Sequence, residues 1–311
     1  MAGYGLLLGG GFLLGAMAAA PAASAQSSAT DALIKASEGE ITVTARPDPA
    51  PQVGKARAQA RTITDASNIF TEPLPLFQTK VCPGVSGLPL DLAEYVVARI
   101  RYNAQGAGLR LGKAGKCEPN LIVAFVLDGK KVLEKLAGKG NTILANIPAF
   151  ERKQLLNDSG PVHAFVIAED RTRDGMRAKW DPSSRYKILE TQGANSLFLL
   201  KTRSDIQKSV VLIDIPAIDG LSAKQIADYA TMRGLAKTRP VAGDATYGTI
   251  LNLFAPDAGH PAGLTTFDIA YLKTLYSNAP NIVAAAKLGG LKYQMRKQLA
   301  ATDADQAGDN N

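Results

Sequence analysis

Histidine, cysteine and aromatic residues are scarce in this chain of 311 residues. It has two histidines, two cysteines and one tryptophan, and aromatic residues make up 6% of the sequence. The net charge is +7, but the basic residues form no run of five, and the aromatic side chains on which bases would stack are few. We therefore expect no nucleic acid among its partners. Two lone thiols fall short of the four ligands that structural zinc takes, which argues against a metal site built on them.

The first 25 residues contain no charged side chain and end in Ala23-Ser24-Ala25, as a secretory signal peptide does. We predict cleavage before Gln26, export to the periplasm and no integral membrane span in the mature chain. No Lys or Arg precedes the apolar segment, so the alternative is an uncleaved anchor over residues 5–25. In an oxidising compartment, the two cysteines are expected to form a Cys82–Cys117 disulfide.

Composition divides the remainder into three parts. Residues 26–62 are rich in Ala, Ser, Gln and Pro, which predicts a flexible arm. Residues 63–299 are predicted to form the folded domain. Residues 300–311 are polar and acidic, which predicts a disordered tail.

Strand and helix patterns alternate within the predicted domain. The runs NLIVAFV and KSVVLIDI are continuously apolar, as strands buried on both faces are. Amphipathic segments such as LDLAEYVVARIRYNAQG predict helices, and Asp128 is placed to begin one. The alternation predicts a single α/β domain with a mixed sheet of about four to five strands covered by helices.

Candidate catalytic groups are few. The Gly-rich stretch GAGLRLGKAGKC lacks the spacing of a phosphate-binding loop, and no G-x-S-x-G occurs. A nucleophilic triad would need His163 or His260 beside a serine and a carboxylate. A periplasmic hydrolase that uses one of these histidines, with carboxylates not yet identified, stays open as the alternative function.

The stretch LSAKQIADYATMRGLAKTRP predicts a helix that follows an apolar strand and stops near Gly234, a glycine suited to a left-handed C-cap. The segment resembles the zinc-binding helix of metzincin proteases, H-E-x-x-H-x-x-G-x-x-H, with Gly234 on the glycine. The remaining positions of that motif hold Ala227, Asp228, Thr231 and Lys237. Alanine offers no donor atom and a lysine would be protonated, so we expect no metal, no cofactor and no zinc catalysis.

The resemblance extends downstream. Matrixin-type proteases have a turn beneath the zinc and then a closing helix with a Thr or Ser cap, an aspartate and a final Leu-Tyr. Thr265, Asp268 and Leu275-Tyr276 fit that order, although the methionine of the turn is absent. The resemblance implies a metzincin-like C-terminal half without zinc, of a kind seen in exported proteins of Gram-negative bacteria. The alternative is an unrelated α/β domain in which the glycine occurs by chance.

A second resemblance lies in the arm. The segment GEITVTARPD is similar to a TonB box, which adds as a strand to a periplasmic energy-transducing protein. The resemblance implies partner-binding residues Glu40, Ile41, Thr42, Val43, Thr44, Ala45 and Arg46. The alternative is an edge strand or a disordered remnant. Together these observations predict a non-catalytic exported binding or scaffold protein.

Overall fold

The computed structural model describes residues 53–138, 140–193, 196, 198–241, 247–255 and 260–308. The predicted signal peptide and the segment Glu40–Arg46 lie outside these residues, so the predictions made for them stay predictions. Among the described residues, no helix is long and apolar enough to cross a bilayer.

The described chain alternates strands and helices. The strands are β1 (Pro83–Ser86), β2 (Leu121–Val126), β3 (Val162–Thr172), β4 (Lys179–Asp181), β5 (Tyr186–Ile188) and β6 (Thr202–Asp214). The helices are α1 (Val53–Ile63), α2 (Leu90–Gly106), α3 (Gly129–Ala137), α4 (Ala149–Asn157), α5 (Ala223–Leu235), α6 (Thr266–Tyr276), α7 (Ala284–Lys287) and α8 (Leu291–Gly308). Short 3₁₀ turns occur at Leu144–Asn146, Ile215–Ile218, Ile250–Asn252 and Leu288–Gly290.

Four strands form one mixed sheet in the order β1-β2-β6-β3. β1, β2 and β6 run parallel, and β3 is antiparallel to β6 at the outer edge. β4 and β5 pair only with each other, as a separate two-stranded sheet. The predicted α/β class with a mixed sheet of four strands is therefore confirmed.

Apolar residues cover both faces of the sheet. On one face the main core joins the sheet to α2, α5 and α6, with Val123 and Val211 at its centre. On the other face a smaller cluster packs Leu133 of α3 against Phe165 and Leu212. This burial on both faces explains why β2 and the second half of β6 are continuously apolar.

Local sequence signals start the helices where they were predicted. The Asp128 side chain accepts a hydrogen bond from Lys131 N at 2.9 Å and caps α3. Ser222 and Gln225 form a capping box at the start of α5, and Thr265 and Asp268 form another at the start of α6.

Described helices extend beyond the predicted limits of the domain at both ends. α1 begins at Val53 and buries Ala56, Ala60 and Ile63 completely. These residues follow helical spacing, and their small side chains allow close packing, so an Ala-rich composition taken for a linker forms a core helix. At the other end, α8 continues to Gly308, past the predicted limit at 299.

The predicted disulfide is present. Cys82 and Cys117 are bonded, with their Cα atoms 6.1 Å apart. Gly112 lies against the bridge, where an added β-carbon would be 2.6 Å from Cys117 Sγ. The bridge closes a loop that contains β1 and all of α2.

Candidate functional site

Helix α5 follows β6 as predicted and is almost completely buried along its length. The predicted left-handed C-cap at Gly234 was wrong. Gly234 lies inside the helix without a positive φ, and the cap is Ala236 in an extended conformation (φ −133°, ψ 140°). A β-carbon at position 234 would lie 3.1 Å from three side-chain atoms of Leu121, closer than ordinary van der Waals contact, so Leu121 would have to shift. Gly234 therefore lets α5 approach β2 closely.

This close approach predicts the effect of a small substitution. Gly234→Ala should lower the free energy of unfolding by about 1 kcal/mol or more, since overpacking a rigid core outweighs the gain in helix propensity. Gly106→Ala is the matched control. A β-carbon on Gly106, at the end of α2, would meet no atom within 4 Å, so this change should stabilise slightly. Urea denaturation measures both. A Gly234→Ala protein as stable as the Gly106→Ala protein would contradict the packing role.

The positions that align with the zinc motif do not converge on one site. Ala227 is fully buried, and its carbonyl accepts a hydrogen bond from Thr231 Oγ1 at 2.8 Å. Thr231 Oγ1 also accepts from Asn103 Nδ2 of α2 at 3.0 Å. Lys237 instead pairs with Glu151 at 2.7 Å, with Asp65 at 3.9 Å. Among the described residues, no three His, Cys, Asp or Glu side chains are grouped as metal ligands would be.

Asp228, which aligns with the catalytic glutamate of the motif, is held by four hydrogen bonds. Arg99 Nε and Nη2 donate to its two carboxylate oxygens at 2.7 and 2.9 Å. Asn103 Nδ2 and Leu264 N donate to the same oxygens at 2.6 and 2.9 Å. A β-carbon on Gly263 would lie 2.5 Å from Asp228 Oδ2. The carboxylate therefore joins α2, α5 and the loop before α6, and its acceptor sites are occupied.

The segment that resembles the closing part of a matrixin domain, the turn at Ile250–Asn252 and the start of α6, is also organised around a carboxylate. Asp268 is fully buried and accepts hydrogen bonds from Thr249 Oγ1 at 2.6 Å, Ile250 N at 2.8 Å and Thr265 N at 3.0 Å. Burial raises the pKa of Asp268 to about 6. The aspartate thus attaches the turn at Ile250–Asn252 to the start of α6, which gives it a structural role.

A cleft of about 480 Å³ lies beside the edge strand β3. Its walls come from α4, from the middle of β3, from the end of α5 and from the segment that follows α5. We call it the edge-strand cleft. Its charged side chains are Asp65, Glu151, Asp158, Arg233, Lys237 and Arg239.

Arg233 differs from the other cations of this cleft. Lys237 and Arg239 are both neutralised, by Glu151 and by Asp65. Arg233 is only 6% exposed, and its Nε and Nη1 have no hydrogen-bond partner among the described residues. A buried guanidinium with two unpartnered nitrogens carries a desolvation cost. The Asp158 carboxylate of the same cleft attracts Arg233: after the larger effect of His163, the Arg233 charge helps to lower the pKa of Asp158, but no described hydrogen bond joins Arg233 to Asp158. The edge-strand cleft therefore holds a cation prepared for an anion.

His163 lies near this cleft but is itself enclosed. It is 1% exposed, with Nδ1 3.6 Å from Asp158 Oδ2, and its ring packs against Gly129. The nearby imidazole is the main cause that lowers the pKa of Asp158 below its usual range. Among the described contacts, no hydroxyl or thiol hydrogen-bonds to His163, so this pair of His and Asp has no nucleophile.

His260 lies on the other side of α5, in the loop before α6. Its Nδ1 is 2.9 Å from the Leu253 carbonyl, and the side chain is exposed. No described hydrogen bond joins it to a carboxylate or a hydroxyl group. The geometry thus supplies neither histidine with the set of groups that a hydrolase needs.

A second cavity of about 450 Å³ lies between α2, α6 and α8. Its wall includes Tyr102, Ala107, Leu264 and Leu272. Its buried amide, Asn103, is already bound to Asp228. Within the described part of this wall, no buried polar atom lacks a partner, so the edge-strand cleft is the better candidate site.

Comparison of the chain with protein-family models, with curated proteins and with solved structures finds no match. The site must therefore be interpreted from its own geometry. One feature of the sequence does indicate this site, although the spacing of the zinc motif does not: Arg233 is the one charged residue in the second half of α5, from Tyr229 to Leu235. Such a cation is costly to bury, and that cost points to a site.

Proposed function

We propose that this protein is a non-catalytic binding protein whose ligand places a carboxylate in the edge-strand cleft. The observation that carries the proposal is the buried Arg233 guanidinium without hydrogen-bond partners for Nε and Nη1. A guanidinium binds carboxylates through two parallel hydrogen bonds, and such bonds are strong in a site shielded from water.

An extended polypeptide is the ligand class that the cleft supports best. β3 is an edge strand of the described sheet, and its residues Ala164, Phe165 and Val166 line the cleft. An edge strand offers N–H and C=O groups to which a peptide can add as a further strand. A peptide paired there would bring a terminal or side-chain carboxylate toward Arg233. Because the described residues supply no nucleophile beside His163, binding without cleavage follows.

The broader setting rests on the sequence. Export to the periplasm and the metzincin resemblance are part of the proposal. The order of strand, helix, turn and closing helix supports the resemblance. The direction of Asp228 and Thr231 weighs against the alignment of the zinc motif, because both side chains face α2 rather than the edge-strand cleft. The alternative, a hydrolase that uses His163 or His260, has less support, because no described contact gives either histidine a hydroxyl or thiol nucleophile.

Two peptide pools test the proposed ligand class. One pool contains random hexapeptides without Asp or Glu and with free C-terminal carboxylates, and the other contains the same sequences as C-terminal amides. The immobilised protein should retain the acid pool and release the amide pool, as mass spectrometry of the eluate will show. Arg233→Met should lose this retention, whereas Arg296→Met, which removes an exposed arginine of α8, should keep it.

Stability measurements provide the complementary result. Arg233→Met should raise the free energy of unfolding of the free protein by about 1–3 kcal/mol, because an apolar side chain replaces an unpaired buried charge. Equal retention of the two pools, or full retention by Arg233→Met, would overturn the proposal. A loss of stability in Arg233→Met would show that the arginine supports the fold instead.

A further inference from the structure

The β4–β5 hairpin stands apart from the core. Its two strands pair only with each other, and five of their six residues are exposed. An isolated two-stranded hairpin is marginally stable, so its large apolar side chains gain little from folding. Their exposure therefore needs a reason outside the fold.

Large apolar side chains are concentrated in and around this hairpin. Of the thirteen that the described structure leaves exposed, six lie between positions 176 and 199. Trp180 is 62% exposed and Tyr186 is 74% exposed. Met176 and Ile188 also lie in the hairpin region, whereas Phe198 and Leu199 lie where the backbone pairs with Val283 and Ile282. Exposed apolar side chains grouped like the four between positions 176 and 188 mark interaction surfaces.

Cations alternate with these apolar groups. From Met176 to Ile188 there are four cations, Arg177, Lys179, Arg185 and Lys187, and one carboxylate, Asp181. Arg177 is paired with Glu169 at 3.2 Å, so the remaining groups carry a net charge of +2. Two of the three cross-strand pairs, Lys179 with Ile188 and Trp180 with Lys187, place an apolar group beside an ammonium group, one pair on each face of the hairpin. The third pair is Asp181 with Tyr186.

The turn of the hairpin adds a further cation at an unfavourable backbone position. Asp181 accepts hydrogen bonds from Ser183 N and Oγ at 2.9 and 2.8 Å, which organises the turn. Arg185 follows with φ 59°, and it is the one described non-glycine residue in the left-handed region. Glycine or asparagine would adopt that conformation at lower cost. A charged side chain is thus placed at the tip despite the strain.

We propose that this hairpin docks on the surface of an anionic phospholipid membrane. Tryptophan and tyrosine favour the interface between lipid and water, and lysine and arginine reach the phosphate layer while their methylene groups stay among apolar neighbours. The net charge of the hairpin complements an anionic surface. Peripheral docking needs no membrane-spanning helix. The inference is independent of the ligand proposed for the edge-strand cleft.

The single tryptophan makes the test direct. Trp180 is the only tryptophan in the chain, so the intrinsic emission of the full-length protein reports on the hairpin alone. Vesicles of mixed phosphatidylglycerol and phosphatidylcholine should shift this emission to shorter wavelength. Pure phosphatidylcholine vesicles should not, and high salt should reverse the shift because it screens the surface potential.

Two charge-matched variants locate the effect. Lys179→Glu/Lys187→Glu should weaken binding to the anionic vesicles about tenfold or more. Lys292→Glu/Lys297→Glu alters two exposed lysines that flank the exposed Tyr293 on α8 and changes the net charge equally, but it should bind like the parent. Unchanged Trp180 emission with anionic vesicles, or equal weakening by the two variants, would overturn the proposal.

Discussion

Asp228→Ala should lower the free energy of unfolding by about 3–5 kcal/mol, the loss seen when one member of a buried ion pair is removed. Asp228 is fully buried and the Arg99 side chain is 25% exposed. The change leaves the Arg99 guanidinium without its acceptor, and it removes the hydrogen bonds by which Asp228 links α5 to Arg99 and Asn103 of α2. Urea denaturation followed by circular dichroism measures the loss.

A double variant distinguishes a lost ion pair from a general packing defect. Arg99→Met combined with Asp228→Ala should be more stable than Asp228→Ala alone, because it removes the unpaired charge. Asp219→Ala changes an exposed aspartate and should be close to the parent. If Asp228→Ala costs no more than Asp219→Ala, the four hydrogen bonds contribute little to stability.

A second large effect is expected at Lys287, in the pH dependence of stability. The Lys287 side chain is 1% exposed, and Nζ donates to the Leu275, Asn278 and Ala279 carbonyls at 3.1, 3.3 and 2.9 Å. Burial lowers its pKa to about 8 from 10.5. Between these values the unfolded chain binds the extra proton, so stability should rise with pH, by about 2 kcal/mol between about pH 7 and about pH 9.5.

The control for this effect is another lysine. Lys287→Met should remove the rise in stability, whereas Lys292→Met, at an exposed position, should preserve it. Urea denaturation at the two pH values gives the four free energies. A rise of the same size in Lys287→Met would assign the pH dependence to other groups.

Local sequence signals predicted much of the secondary structure. Contacts between distant parts of the chain determined which helices are buried and which way the side chains of the candidate site point. The apolar runs at 120–126 and 208–215 gave β2 and part of β6, because strands covered on both faces must be apolar at every position. Asp128 and Thr265 marked helix starts, because their side chains bond to backbone three residues away. The alanine-rich composition of α1 suggested a flexible arm, because alanine is common both in linkers and in tightly packed helices.

The candidate site was harder to predict, because it depends on contacts between residues that are distant in the sequence. The direction of Asp228 depends on Arg99, which lies 129 residues earlier in the chain. Motif spacing reports which residues share a turn of helix, but not which neighbour that face meets. Arg233 is notable because burying a charged side chain without hydrogen-bond partners is unfavourable. The sequence does not show which groups surround Arg233, so this cost can be judged only from the structure. The sequence therefore directed attention to α5, and the structure shows that Arg233 is the residue of α5 that lines the edge-strand cleft.

The partners of α1 also constrain when the protein can fold. Gln59 exchanges two hydrogen bonds with the backbone of Tyr247, Thr64 meets the Tyr271 hydroxyl, and Arg57 donates to the Ala285 carbonyl. These contacts span 188 to 228 residues. The first of the described helices thus waits for the last quarter of the chain before it can bury its apolar face. The native contacts of α1 are therefore complete only when synthesis is almost finished.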